Sequence, residues 1–502
     1  MRKIKFSQIQ MGAMISYIAL AVNMLTGLIY TPWMVSKIGQ SNYGIYALAI
    51  SLISVFMLDF GLGSAVSRFV AKYRAEGNTD GVNNIMGIIY KLYMIIDLVI
   101  IAVLTVFFFF LDQVYVKLTP EELERFKVLY LMVAGFNIIS FPCAPFTGIL
   151  NAYEKFVQLK LCELATKLCT VASVIAVLSF RADVVSVVGA NIVCELLGFL
   201  LKYLIIKKSV PVKANFKASG KELYKTLFGF TAWTTVISIM QRFTHSLAPT
   251  VLGMTSGSLE IAIHAPAVTL EQYFYTISNA VNGLFLPKVS RIIADKKEDT
   301  ELLPLMVKVG RYQTALLGLI FIGFVSVGKQ FMVLWMGEAY LKSYYCAVIL
   351  MFPTFLSASQ QIGHTTVIAK NLIKYKARCM IITGVAGLVL SYLLSFRLGA
   401  MGVCIGTAVT ALANIVYMNI VFRKYAGIPM KSFYKQCYLK AIPCYGLGLL
   451  FGLVFSQVVP VAGWRGLLIK AFGVCVVYGA LIWSIYLSRN ERARVLSFIK
   501  RR

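Results

Sequence analysis

Long apolar stretches alternate with short polar connections along almost the whole chain. A bilayer core of about 30 Å is crossed by about 20 residues of helix, and fourteen stretches of the sequence approach that length. They centre near Val22, Ser54, Val99, Gly135, Val171, Val193, Ile239, Gln272, Leu319, Thr354, Leu388, Val409, Leu449 and Val477. Period-two alternation typical of barrel strands is absent. The pattern predicts an all-α integral membrane protein with about fourteen transmembrane helices.

Lysine and arginine cluster in every second connection between these stretches. The basic connections carry Arg2, Lys3 and Lys5; Arg68, Lys72 and Arg74; Lys155 and Lys160; Lys207, Lys208, Lys213, Lys217 and Lys221; Lys288, Arg291, Lys296 and Lys297; Lys370, Lys374, Lys376 and Arg378; Arg423, Lys424, Lys431 and Lys435; and then Arg489 to Arg502. The other connections carry one or two cations each at most. Because basic loops stay on the cytoplasmic side, this bias predicts that both termini are cytoplasmic.

The composition agrees with a chain surrounded mostly by lipid. Hydrophobic residues make up 59% and charged residues 14%, and the mean hydropathy is +0.77. The formal net charge of +28 would favour nucleic acid as a partner of a soluble protein, but here the cations lie in the short loops, so no nucleic-acid role is predicted. The ten cysteines are scattered without metal-ligand spacing, and neither a metal nor a cofactor is predicted.

The longest basic connection divides the chain. We predict an N-terminal six-helix lobe at residues 1–206, a cytoplasmic linker at residues 207–225 and a C-terminal six-helix lobe at residues 226–422. Residues 423–502 then hold transmembrane helices 13 and 14 and a basic cytoplasmic tail.

The two lobes echo each other in sequence. The segment Val66–Ala71 resembles Val289–Ala294, and Phe141-Pro142 has a counterpart in Phe352-Pro353. Six spans separate the members of each pair, so both copies have the same orientation in the membrane. Parallel repeats of this kind are typical of transporters.

Ionisable and polar side chains at membrane depth are costly and tend to mark function. In the second lobe, Gln241, Arg242 and His245 lie near the middle of span 7, and Glu271 and Tyr273 lie near the middle of span 8. Arg242 and Glu271 are expected at similar depth. They could form a structural ion pair, or Arg242 could face an anionic substrate with Glu271 as its counter-ion or as a proton-coupling carboxylate. Tyr273 could line a cavity for sugar or pack against lipid.

The first lobe has a second set of charged residues. Lys167 and Glu195 are matched across a predicted hairpin, and Glu163 lies one turn from Lys167. Asp59 and Asp97 add carboxylates to spans 2 and 3. These groups could hold the helices together, or Glu195, Asp59 and Asp97 could bind a coupling ion.

Three motifs carry a family resemblance. The stretch from Lys37 to Ala47, the stretch from Asp59 to Tyr73, and Gly148–Ala152 followed by a basic turn resemble Wzx-type polysaccharide flippases. These are the O-antigen and lipid-linked oligosaccharide transporters of the multidrug/oligosaccharidyl-lipid/polysaccharide (MOP) exporter superfamily. The resemblance implies the MOP flippase fold, with two six-helix lobes in a V shape and two extra C-terminal helices.

The resemblance also implies a function. Such a flippase moves an undecaprenyl-diphosphate-linked oligosaccharide from the cytoplasmic to the periplasmic leaflet of the bacterial inner membrane, for polysaccharide, O-antigen and lipopolysaccharide biosynthesis. Alternating access would be coupled to H+ or Na+, and other polysaccharide-assembly proteins would be further partners. Arg242 would face the diphosphate, with Gln241, His245 and Tyr273 nearby, while Arg68 and Arg291 would either receive the head group or only anchor the inner surface.

Other functions remain open. A drug/cation antiporter of the same superfamily would share the fold, but it would usually stop at twelve spans and have mainly acidic cavities. A lipid-II flippase is only weakly separated by the sequence. A membrane enzyme, such as a glycan polymerase or an acyltransferase, should have a large outside loop or a catalytic histidine with partners, and only His245 and His364 are candidates. We therefore expect a transporter rather than an enzyme.

Overall fold

The computed structural model describes most of the chain as helix. The described residues are 8–56, 62–218, 233, 235–244, 246–279, 285–489 and 491–493. Two candidate residues of the sequence analysis, Asp59 and His245, lie outside them. The chain divides into two compact units, Met1–Ala262 and Ile263–Arg502.

The first unit is built from helices that run along the chain with short connections. They are α1 (Gln8–Ile38), α2 (Gln40–Phe56), α3 (Leu62–Ala75), α4 (Thr79–Phe109), α5 (Leu111–Val114), α6 (Pro120–Ser140), a 3-10 turn (Phe141–Cys143), α7 (Pro145–Ala152), α8 (Phe156–Phe180), α9 (Val184–Ser209), helical residues 235–244, and α10 (Ala248–Thr255). Helix α11 (Ser258–Asn279) begins in the first unit and continues into the second.

The second unit follows the same plan and then adds a helical hairpin. Its helices are α12 (Leu286–Ala294), a π turn (Glu298–Leu302), α13 (Leu303–Met336), a 3-10 turn (Glu338–Tyr340), α14 (Leu341–Ala358), α15 (Gln361–Ala369), α16 (Ile373–Leu398), α17 (Ala400–Lys424), α18 (Met430–Cys437), α19 (Ala441–Val458), α20 (Gly463–Leu481) and a π turn (Ile482–Tyr486).

The predicted all-helical membrane architecture is confirmed. Eleven stretches of the described chain are long and apolar enough to cross a bilayer: Ile18–Ile38, Thr79–Phe109, Pro120–Ala152, Phe156–Phe180, Val184–Ser209, Glu298–Met336, Glu338–Ala358, Ile373–Leu398, Ala400–Lys424, Ala441–Val458 and Gly463–Tyr486. All fourteen predicted span centres fall on helical residues. The count of fourteen spans and the predicted lobe boundaries stay predictions.

Small residues allow the helices of each unit to approach closely, as is typical in membranes. A Cβ atom on Gly44 of α2 would lie 2.0 Å from the carbonyl oxygen of Ser258, and one on Gly406 of α17 would lie 2.6 Å from the hydroxyl of Ser391. These glycines therefore fix backbone-to-backbone contacts that a larger residue would separate.

The internal repeat has a structural counterpart at matched helix breaks. In the first unit, Pro142 and Pro145 interrupt the span between α6 and α7; in the second unit, α14 ends five residues after Pro353 and α15 follows. Pro142 and Pro145 interrupt the first span because proline lacks the amide donor and clashes with the preceding turn, whereas Pro353 lies inside α14 and the break follows it. Helix α7 then packs against α3, and α15 packs against α12.

The two broken spans also end alike. Glu154 has φ of +56° and Asn371 has φ of +55°, both in the left-handed region. In each case the next residue bonds back five positions: the Lys155 amide donates to the Leu150 carbonyl at 2.9 Å, and the Leu372 amide donates to that of Val367 at 2.8 Å. This is a Schellman-type helix end, and it closes the broken span in each copy of the repeat.

The C-terminal hairpin is packed tightly against α13. A Cβ atom on Gly318 of α13 would lie 2.4 Å from the hydroxyl of Tyr478 in α20. Buried Lys470 of α20 donates to the side-chain oxygen of Gln330 at 3.0 Å, and the amide nitrogen of Gln330 donates to the Gly463 carbonyl at 3.1 Å. Helices α19 and α20 are therefore an integral part of the second unit.

An ion pair ties the end of this hairpin to α13. The guanidinium of Arg311 donates from Nε to Oε1 of Glu491 at 3.0 Å and from Nη2 to Oε2 at 2.9 Å. Glu491 also accepts from the amide and hydroxyl of Ser488, both at 2.8 Å. Although partial burial acts in the opposite direction, these hydrogen bonds hold the pKa of Glu491 below its ordinary value.

Candidate functional site: a charged cavity formed by α1, α8 and α9

A cavity of about 370 Å³ opens within the first unit, between three predicted membrane helices. Helix α8 contributes Lys160, Glu163, Leu164, Thr166 and Lys167, helix α9 contributes Glu195, Gly198, Phe199 and Lys202, and helix α1 contributes Ala19, Leu20 and Asn23. The volume falls within the usual range for small-molecule sites. The cavity therefore combines a binding-site size with charged groups on spans that lie in lipid.

The packing of α8 against α9 places these residues on one surface. The two helices form an antiparallel hairpin, and a Cβ atom on Gly198 would lie only 2.4 Å from the hydroxyl of Thr166. The sulfurs of Cys169 and Cys194 lie 3.4 Å apart one turn further along the hairpin. The same alignment sets Lys167 opposite Glu195.

Helical spacing explains why the charged residues share one face. Lys160, Glu163 and Lys167 lie at positions i, i+3 and i+7 of α8, and Glu195 and Lys202 lie seven residues apart on α9. Residues with this spacing line one stripe of a helix. Lys167 and Glu195 are matched by the predicted hairpin, whereas Lys160 and Lys202 join them only through this spacing, which is visible in the sequence.

The charges of the cavity are only partly neutralised within it. Lys160 and Glu163 form an ion pair at 2.8 Å. Among the described residues, Lys167 and Glu195 face the same cavity without a direct ion pair. Nζ of Lys202 lies 5.5 Å from the centre of the Phe199 ring. Three lysines against two carboxylates give the lining a formal surplus of one positive charge, which favours an anionic ligand group.

In the second unit, Glu271 is buried and bonded within its own unit. It is 8% exposed, and its Oε1 accepts a hydrogen bond from the hydroxyl of Thr354 at 2.7 Å. Thr354 follows Pro353 in the broken span α14. Tyr273 is half-buried on the same helix as Glu271.

Four of the candidate substrate-binding residues lie at exposed positions. Gln241 and Arg242 are exposed on helical residues 235–244 of the first unit. Arg68 and Arg291 are exposed on α3 and α12, the two short helices that carry the sequence repeat. Because Arg242 belongs to the first unit and Glu271 to the second, their predicted pairing stays a prediction.

The remaining carboxylate, Asp97, is buried in α4. It is 8% exposed, and its Oδ1 has no hydrogen-bond partner among the described residues. The structure thus separates the predicted ion-coupling carboxylates into a cavity residue, Glu195, and two buried residues, Glu271 and Asp97.

His364 of α15 packs against an aromatic ring of α17. His364 lies edge-on to Phe422, with ring centres 5.2 Å apart, and its Nδ1 is buried without a hydrogen-bond partner there. Within the described ranges, no group of three or more His, Cys, Asp and Glu residues is arranged to hold a metal.

Comparison with known structures identifies the fold. The structure of "Lipid II flippase MurJ, inward closed conformation" is similar with a TM-score of 0.72 and 14% identity, covering 94% of this chain and 98% of that one. An inward-facing multidrug resistance MATE family transporter of the MOP superfamily is similar with a TM-score of 0.65 and 14% identity, covering 81% and 97%. A Vibrio cholerae MATE transporter has a TM-score of 0.56 and 11% identity, covering 83% and 97%.

A family model identifies the sequence. The model described as "Polysaccharide biosynthesis protein" matches residues 11–292, which is more than half of the chain. No curated protein sequence matches the chain at a significant level. The solved structures that share the fold are those of transporters. The chain belongs to the polysaccharide biosynthesis protein family, and it is a multi-span membrane protein whose fold is similar to those of MurJ and of a MATE transporter of the MOP superfamily.

Proposed function

We propose that this transporter flips an undecaprenyl-diphosphate-linked oligosaccharide from the cytoplasmic to the periplasmic leaflet of a bacterial inner membrane, for the synthesis of a surface polysaccharide such as O-antigen. The observation that carries the proposal is the surplus of lysine in the membrane-embedded cavity of the first unit. A diphosphate-linked substrate is anionic, and an anion at membrane depth requires cationic partners.

The cavity lysines are proposed to hold an anionic group of this substrate. Lys167 and Lys202 are the better candidates, because Lys160 is already paired with Glu163 at 2.8 Å. A lysine amine can donate up to three hydrogen bonds to phosphate oxygens. Asn23 and the two carboxylates in the lining would then be available to hydroxyl groups of a sugar.

The rival functions fit these observations less well. A drug/cation antiporter would bind cations, for which a lining with more lysines than carboxylates is unfavourable. The wider coverage by MurJ, 94% of the chain against 81% for the inward-facing MATE transporter, supports a plan with extra spans. Lipid II is itself a diphosphate-linked glycan, so a lipid-II flippase remains the second candidate, and the MurJ fold is the observation that favours it.

The exposed arginines are proposed to act outside the cavity. Arg68 and Arg291 occupy matching places in the sequence repeat, which supports a role in receiving the head group at the cytoplasmic surface. Arg242 is proposed as a further substrate contact on the span that holds residues 235–244. If Arg242→Ala left transport intact in a stable protein, Arg242 would have no role in substrate binding.

The experiment is complementation of a bacterium that lacks its own O-antigen flippase, with surface polysaccharide measured on gels and drug tolerance scored in parallel. The test variants are Lys167→Met and Lys202→Met. The matched control is Lys208→Met, because Lys208 is an exposed lysine on the same helix as Lys202 but does not line the cavity. Losing one charge-assisted hydrogen bond costs about 1.5–3 kcal/mol, so we expect roughly tenfold to hundredfold less transport at limiting substrate.

Each outcome has a distinct meaning. Polysaccharide restored by the wild type and by Lys208→Met, but not by the cavity variants, supports both the function and the site. Equal polysaccharide from all variants at equal protein level would remove the cavity from the mechanism. Raised drug tolerance without polysaccharide would contradict the proposed substrate and favour the antiporter.

A further inference from the structure

Among the buried oxygen atoms of the first unit that have no hydrogen-bond partner in the described part of the chain, two lie on the packed helices α4 and α6. They are Oδ1 of Asp97 in α4 and Oδ1 of Asn137 in α6, and the residues are 8% and 2% exposed. Buried polar atoms are nearly always bonded, so each of these atoms requires a physical explanation. Asn137 was not a candidate in the sequence analysis.

The packing of α4 against α6 brings these two residues to the same level. The hydroxyl of Tyr130 in α6 donates to the carbonyl of Leu104 in α4 at 2.7 Å, and the ring of Phe141 lies 5.2 Å from that of Tyr93. Asp97 is four residues after Tyr93 and seven before Leu104. Asn137 is four residues before Phe141 and seven after Tyr130. Since steps of four and seven stay on one helix face, the register places Asp97 opposite Asn137.

The orientation of the amide shows which atom of Asn137 remains to be satisfied. Its Nδ2 donates to the carbonyl of Val133, one turn back, at 3.1 Å. Its Oδ1 is therefore an acceptor in need of a donor. An ionised Asp97 would present only acceptors on the opposite helix, and a buried charge without a partner is strongly unfavourable.

Helix α4 packs against α3, α5, α6 and the 3-10 turn, and charged or titratable groups on these elements have partners other than Asp97 or are exposed. On α3, Arg74 bonds to the Ala152 carbonyl, Lys72 pairs with Glu76, and Arg68 is exposed. Near α5, Asp112 pairs with Lys127, and Tyr115 lies against Phe107 and Phe126. On the 3-10 turn, Cys143 donates to Ile139, and on α4 itself Lys91 donates to the Ala218 carbonyl. Among the described residues, no ion pair includes Asp97.

We propose that Asp97 is a proton-binding site, and that its carboxylic acid donates a hydrogen bond to the side-chain oxygen of Asn137. One proton converts Asp97 from an acceptor into a donor and satisfies both buried oxygens at once. It also removes the net charge from a carboxyl group in the middle of a membrane helix. Asp97 is thereby the site at which a proton gradient acts on the transporter. This coupling role rests on the proposed function, whereas the binding of a proton to Asp97 does not.

Infrared difference spectroscopy of the purified full chain tests the proton directly. At neutral pH we expect a carbonyl band of a protonated carboxylic acid that is lost in Asp97→Asn and shifted in Asn137→Leu. Asp80→Asn is the matched control, because Asp80 is an exposed carboxylate in the first turn of the same helix, and it should leave the band unchanged. If Asn137→Leu does not fold, Asn137→Ser serves, since a hydroxyl still accepts the bond but moves the band.

Three results would overturn the proposal. The first is the absence of any acid band that depends on Asp97. The second is an acid band that neither Asn137 variant alters. The third is loss of the band when sodium is added at constant pH, because that would identify a sodium site.

A transport measurement separates this inference from the proposed function. In proteoliposomes, Asp97→Asn should lose the response of transport to an imposed pH gradient while the wild type keeps it. A full response in Asp97→Asn would contradict the coupling role. If the wild type moves no oligosaccharide but shows the acid band, the proposed substrate is wrong and the proton site stands.

Discussion

The ion pair between Arg311 and Glu491 should carry much of the attachment of the C-terminal end of the chain to α13, and Arg311→Met removes it. The guanidinium makes two parallel bonds to the carboxylate at 2.9 and 3.0 Å, a third bond to the Gln436 carbonyl at 3.3 Å, and a further bond to the Tyr486 carbonyl. It also lies over the Tyr486 ring, 4.3 Å from its centre. One side chain thus joins three segments of the second unit.

The size of the effect follows from the burial of the pair. The two side chains are 11% and 14% exposed, and breaking a buried ion pair from one side costs about 3–5 kcal/mol. We expect about 3 kcal/mol for Arg311→Met, because Glu491 keeps its two bonds from Ser488. Arg311→Lys should lose about 1–2 kcal/mol, since an ammonium cannot reproduce the bidentate geometry.

The assay is the free energy of unfolding in detergent micelles, measured for Arg311→Met, Glu491→Gln and the double variant. We expect a coupling energy of about 2 kcal/mol between the two positions, with little dependence on salt because the pair is poorly exposed. Additive single variants, or a coupling energy that vanishes in moderate salt, would show that this contact behaves as an ordinary surface ion pair. That result would refute the reasoning.

Three further predictions concern pH and backbone geometry. The pKa of Glu491 in the folded protein is held below its ordinary value of 4.5. The ionised carboxylate therefore stabilises the fold fully above pH 4.5, and this stabilisation is lost as the pH falls through the pKa of the folded state. The difference in free energy of unfolding between wild type and Glu491→Gln should shrink on acidification, and a difference that grows would contradict the assignment. Glu154→Gly should raise the free energy of unfolding by about 0.5–1 kcal/mol, because glycine adopts the left-handed backbone of this position without strain. Asn371→Gly should raise it less, because asparagine already tolerates that conformation. Thermal denaturation in micelles measures both changes. Gly198→Ala should lower the free energy of unfolding by about 1–3 kcal/mol, because the added methyl would meet the hydroxyl of Thr166. Adding Thr166→Ala to this variant should restore part of the lost stability. If the double variant is no more stable than Gly198→Ala, the strain does not come from Thr166.

The fold was largely predictable because lipid imposes one simple rule on each span. Apolar length was enough to place all fourteen predicted centres on helical residues, since an unbonded backbone is excluded from a bilayer and each span must be helical. The orientation derived from the loop charges stays a prediction. The repeat was visible in two short strings, Val66–Ala71 and Val289–Ala294. The matched left-handed helix ends at Glu154 and Asn371 were not predictable, because glycine, the usual signal of that geometry, is absent from both.

The candidate site was only partly predictable because its members come from three helices. Spacing within α8 and α9 could have joined Lys160 and Lys202 to Lys167 and Glu195, but the contribution of α1 depends on packing that no local pattern reveals. The same limit applies to Asn137. Its significance comes from the register of α4 against α6, which is a tertiary property.

The central claim is that the chain moves a lipid-linked anionic glycan, and reconstitution tests it most directly. Purified protein is placed in liposomes with an undecaprenyl-diphosphate-linked oligosaccharide that carries a fluorescent sugar, and the fraction protected from an impermeant quencher is followed over time. The account predicts transfer between leaflets that requires the protein and that falls at least tenfold in Lys167→Met at limiting substrate. Transfer no faster than in protein-free liposomes, under conditions where the same preparation exports a cationic dye, would contradict it.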